Sequence, residues 1–115
     1  MSARAFVIVR AAWGTALVAA PGMLGSAAGR GSSTRPDDVA RLLGARHLLQ
    51  AAVTVIRPNP RVLVVGAAVD ALHSASGVAL GTFDPRWRRP AFLDATLAAA
   101  FAALGLAAAS CAARR

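Results

Sequence analysis

Apolar positions gather into four runs, 5–20, 39–56, 62–80 and 91–113, separated by short stretches that hold most of the arginine, proline and aspartate. Such lengths suit a bilayer, whose hydrocarbon core of about 30 Å is crossed by about 20 apolar residues in a helix. No run alternates like a half-buried strand or shows a polar face at every turn like a soluble amphipathic helix. Residues 97–113 carry no charge at all. The pattern predicts an all-α chain: a four-transmembrane-helix bundle, up-down, with helices over 4–20, 37–56, 61–81 and 91–112. A single integral membrane domain covering 1–115 is expected.

The punctuation fits that division. Pro21-Gly22 stops the first helix, and 22–36, rich in Gly and Ser, reads as a flexible polar loop. Thr34-Arg35-Pro36-Asp37-Asp38 opens the second, with Thr34 or Asp37 as its cap and acid opposing the helix dipole. Arg57-Pro58-Asn59-Pro60-Arg61 forces a tight hairpin, because each proline disfavours helix in the residue before it. Gly81 ends the third helix, and the following loop sets Phe83 and Trp87 among arginines, the composition of a headgroup belt. Met1–Arg4 ahead of an apolar run also suits a signal peptide cut near Ser26-Ala27-Ala28. Arg10 inside that run, and three further spans, favour a retained helix.

Composition sharpens the picture. Hydrophobic residues are 57% and charged residues 16% of the chain, against about 45–50% and about 25% in soluble domains. Close to half of the apolar count is alanine, so a soluble Ala-rich bundle is the alternative; the missing polar faces oppose it. The net charge of +8 is all arginine, with neither Lys nor Glu present. These arginines sit at the ends of the runs, where they suit an anionic membrane surface rather than nucleic acid. The Lys-free, Ala/Arg-rich usage suggests a high-GC bacterium and hence its plasma membrane. Four spans put both termini on one side. Arg4, Arg57, Arg61, Arg114 and Arg115 then face Arg30, Arg35, Arg86, Arg88 and Arg89, a tie that leaves orientation open.

A charge at the bilayer centre costs about 2.5–3.5 kcal/mol on insertion scales, so intramembrane charges find partners. Arg46 lies thirteen residues before Asn59 and Asp70 eleven after it. In an antiparallel pair their depths differ by about 3 Å, which makes Arg46–Asp70 the leading expected ion pair. His47 and His73 are nearly level too. Gly66, Asp70, His73, Ser74, Gly77 and Gly81 form one small or polar stripe on the third helix, and Arg46, Gln50 and Arg57 form one on the second. Facing the two stripes gathers a buried cluster of Arg46, Asp70, His73, His47 and Gln50. Arg41 and Asp94, level at the other membrane face, make a secondary pair, and Arg10 competes for Asp70 from the opposite side.

Such a cluster fixes helix register, moves protons, or binds a ligand or partner subunit. Two facing histidines also invite haem, but hairpin neighbours leave little gap for it, and no cofactor is expected. Cys111 stands alone, so no intrachain disulfide forms. No Cys/His cluster has metal spacing and no Gly-rich phosphate loop precedes a helix. Ser74 and Ser76, at i+1 and i+3 from His73, do not make a nucleophile–base pair. Enzyme chemistry has little to stand on.

Leu43-Gly44-Ala45-Arg46-His47, followed by Val69-Asp70-Ala71-Leu72-His73, resembles small four-helix actinobacterial membrane proteins of unknown function. These share a Leu-Gly-x-Arg element in the second span and an Asp in the third. The resemblance covers most of 39–110 and implies the same fold and membrane location, but no activity. The expected role is a non-enzymatic accessory, assembly or partner-binding component, packed against itself or a larger membrane protein. The alternative is a small oligomeric proton-coupled transporter or ion pathway using Arg46, Asp70 and His73. Solvent access to Asp70 separates the two.

Overall fold

The computed structural model describes residues 2–20, 22 and 34–115, with side chains of the second helix described from 38 onward. Among these residues the chain is helical without strands. Helix α1 is Ala3–Ala19, α2 Thr34–Ile56, α3 Pro60–Phe83 and α4 Arg88–Ala113, with a 3-10 turn at Pro85–Trp87. The all-α bundle expected from the pattern is therefore present. Its boundaries differ: α2 and α4 each begin three residues earlier than expected, and α3 runs through Gly81 to end at Phe83 rather than stopping at the glycine. Pro90 is tolerated inside α4 because it falls in the first turn, where amides have no intrahelical acceptor. Of the loop expected over 22–36, residues 23–33 lie outside what is described and 34–36 are helical; Thr34 and Asp37 both fall within α2, and the capping contacts of their side chains lie outside what is described.

Three helices, α2, α3 and α4, are long and apolar enough to cross a membrane. Helix α1 has 17 residues, a length of about 25 Å. Asn59 makes the tight turn between α2 and α3 that its sequence suggests. It caps α3 by accepting from the Arg61 amide at 2.8 Å, with Pro60 in the first helical position.

The helices do not pair as expected. The tight turn at Asn59 predicts that α2 lies along α3, stripe to stripe. Instead α1 packs along α2, α3 packs along α4, and α2 and α3 make few close approaches. Helix α4 shows why: its buried Ala91, Ala95, Ala98, Ala102, Gly105 and Ala109 recur at alternating steps of four and three. That is a heptad seam, small enough for a neighbouring backbone to settle on it. The later part of the α3 stripe, His73, Ser74, Gly77 and Gly81, faces α4, whereas Gly66 and Asp70 do not. A β-carbon on Gly77 would meet Ala95 Cβ at 3.1 Å, and one on Gly81 would meet Phe92. Ser74 donates to the Ala95 carbonyl at 2.8 Å.

Helices α1 and α2 cross at Gly14 and Gly44. A β-carbon on Gly44 would lie 2.7 Å from the Gly14 carbonyl oxygen, and one on Gly14 would lie 2.9 Å from that of Gly44. The two pairs are then joined by an apolar cluster of Phe6, Leu63, Phe101, Ala108 and Ala109, with Trp13 half-buried against it. Phe6 and Phe101 meet edge to face at 6.3 Å.

Candidate functional site: a buried arginine cage

Arg10 sits where all four helices converge. It is the one charge within the apolar run of α1, and it is 2% exposed. A lone guanidinium there would be far more costly than any packing gain offsets, so its surroundings are built to answer it. Nη2 forms an ion pair with Asp70 Oδ2, and Nη1 lies 3.4 Å from Asp70 Oδ1. The same Nη1 donates to Gln50 Oε1 at 2.5 Å and meets His47 Nδ1 at 3.2 Å. The rings of Phe6 and Phe101 lie 4.9 and 4.8 Å from the guanidinium carbon. Aromatic faces of this kind attract a cation most strongly when water is absent. His47 extends the aromatic wall, its ring 4.9 Å from that of Phe101.

Asp70 is fully buried and takes a second guanidinium: Arg46 Nη2 donates to its Oδ1 at 3.3 Å. The expected Arg46–Asp70 contact therefore exists, but as the weaker partner. Arg10, expected only to compete, holds the carboxylate in a two-nitrogen grip. The depth comparison across Asn59 set Arg46 level with Asp70 but carried no information on α1. Because α2 leans toward α1, Arg46 approaches Asp70 from the side and stays 24% exposed, with its Nε buried and unpartnered. Of the expected cluster, Arg46, Asp70, His47 and Gln50 meet.

His73 does not join them. It turns to α4, where its Nε2 meets Asp94 Oδ2 at 2.5 Å. This removes Asp94 from the expected pair with Arg41, which is exposed and forms no ion pair with it. Levels across the α3–α4 connection, rather than across Asn59, would have found His73–Asp94. The signal for Arg10 was also legible: it stands four residues after Phe6 and four before Gly14, on the stripe that α1 buries.

Three hydroxyls of the outward faces are settled locally. Ser76, Thr96 and Ser110 are exposed and each donates to the carbonyl four residues back, at 2.8–2.9 Å. Such back-bonds free a hydroxyl from any need for water. Among the described residues no group of His, Cys, Asp or Glu is placed to hold a metal ion. The cage is thus a cation bound by a carboxylate, an amide, an imidazole and two rings. No protein-family model, curated protein or solved structure matches this chain.

Proposed function

We propose that the protein crosses the bacterial plasma membrane four times and serves there as a non-enzymatic accessory or assembly component, packing against itself or a larger membrane protein. The observation that supports this reading is that Asp70 is 0% exposed and held by both Arg10 and Arg46. A group that relays protons needs a route to water, whereas Asp70 is enclosed and fully engaged in joining three helices. The wide outer faces, with Leu42, Val55, Ile56, Val65 and Leu72 exposed, suit lipid or a partner helix. The separation of His73 from Asp70 also weakens a His–Asp relay.

Reconstitution tests it. Liposomes holding the purified protein, loaded with a pH-sensitive dye and given a pH step, are expected to leak protons no faster than empty liposomes. A flux that Asp70→Asn or His73→Ala abolishes would replace this reading with a transport role.

A further inference from the structure

The divergence of α2 from α3 opens a cleft of about 460 Å³, within the roughly 300–1,000 Å³ typical of small-molecule sites. Its walls are aliphatic, with Leu49 and Val53 on α2 and Val62, Val65 and Val69 on α3. Its inner end is formed by the arginine cage: Arg10, Arg46 and Gln50 line it there. The cage carries two guanidinium groups against the single carboxylate of Asp70. One positive charge is therefore unanswered, and it belongs to the outer arginine. Arg46 uses one of its five N–H donors, the Nη2 that reaches Asp70 at 3.3 Å. Its Nε is the one buried side-chain polar atom among the described residues without a hydrogen-bond partner. An unpartnered buried donor costs about 1–3 kcal/mol, and more when charged.

We propose that this cleft binds a long-chain carboxylate, with the carboxylate on the Arg46 guanidinium and the alkyl chain along Leu49, Val53 and Val65. The head supplies the second negative charge that the cage lacks, and guanidinium–carboxylate geometry is the pairing that arginine favours. The chain covers aliphatic walls that otherwise face each other across a gap. Arg61 lines the outer end from the first turn of α3, its stem against the chain and its charge free to reach the headgroup level. Gly66 keeps the passage clear: a β-carbon there would meet only Gln50 Nε2, at 3.7 Å. The proposal rests on the bilayer setting of the preceding reading and not on the accessory role.

The test uses the full chain in dodecyl maltoside, titrated with cis-parinaric acid, a fluorescent fatty acid. A saturable fluorescence rise is expected, reversed by palmitate and at least tenfold less effectively by methyl palmitate. Arg46→Gln should weaken affinity at least tenfold by removing the charge. Gly66→Leu should do the same by filling the cleft from a position with room for a side chain. Circular dichroism and thermal melting check that each variant is folded; if Arg46→Gln is not, Gly66→Leu and the acid–ester comparison on the unaltered protein decide. Equal displacement by acid and ester, or unchanged affinity in folded Arg46→Gln, overturns the proposal. Displacement by phosphatidylglycerol but not palmitate assigns the cleft to a phospholipid and overturns it too. None of these outcomes bears on the liposome flux experiment, so the two readings fail separately.

Discussion

Asp70 and Arg10 are each costly alone and tolerable together. Removing one partner of a buried pair costs about 3–5 kcal/mol, because the other is left buried and charged. Asp70→Asn is therefore expected to lower the melting temperature of the detergent-solubilised protein sharply, followed by the fluorescence of Trp13 and Trp87. The second-site variants separate the two arginines. Arg10→Met should recover most of the loss in the Asp70→Asn background, since Arg10 is 2% exposed against 24% for Arg46. Arg46→Met should recover less; equal recovery by both would place the principal pair with neither. That charges buried in apolar runs must find one another was readable from the sequence, and four of the five expected cluster residues do meet. Which arginine came first was not, because depth along one hairpin says nothing about the lateral position of another helix.

Helix pairing turns on where small residues let backbones touch. At the α1–α2 crossing the glycines face each other's carbonyls, so any side chain pushes the helices apart; overpacking of this kind costs about 1–3 kcal/mol. Gly44→Val is expected to destabilise by that amount and to loosen α1, which carries Arg10. Gly66→Val, on the open side of α3 with its nearest atom at 3.7 Å, should change thermal stability by less than about 0.5 kcal/mol, as substitutions away from packed features do. A melting series in one detergent checks both; similar losses would mean the crossing is not what holds α1. The four helices were legible from run length and from the prolines Pro58 and Pro60; Gly81, expected to end α3, lies within it. Their partners were not. The short turn at Asn59 argued for α2 beside α3, but the alanine heptads of α4 and the Gly14–Gly44 contact offer closer surfaces, and surface fit outweighs adjacency in the chain.

For the molecule as a whole, the ends of the helices are gathered by place. Ser2, Arg4, Pro58 and Arg115 line one hollow, so the N-terminal end, the C-terminal end and the α2–α3 turn share one side. The Asp84–Trp87 connection lies at the far ends of α3 and α4. In a Cys111→Ala background, Ser2→Cys and Arg115→Cys are expected to react with a membrane-impermeant maleimide from the same face of sealed vesicles. Asp84→Cys should react only from the other. Labelling of Ser2→Cys and Asp84→Cys from one face would remove the up-down arrangement. The same experiment fixes the orientation, which the even division of flanking arginines leaves undetermined.

The cage also sets an order of events during synthesis. The ribosome delivers Arg10 sixty residues before Asp70, its chief counterion, and it does so on the shortest of the four helices. Until α3 emerges, the Arg10 guanidinium lacks Asp70, so in the proposed bilayer setting lateral release of α1 into lipid is opposed. In the bilayer setting proposed above, α1 is thus made before α2 and α3 but settles only when the third helix arrives to neutralise it.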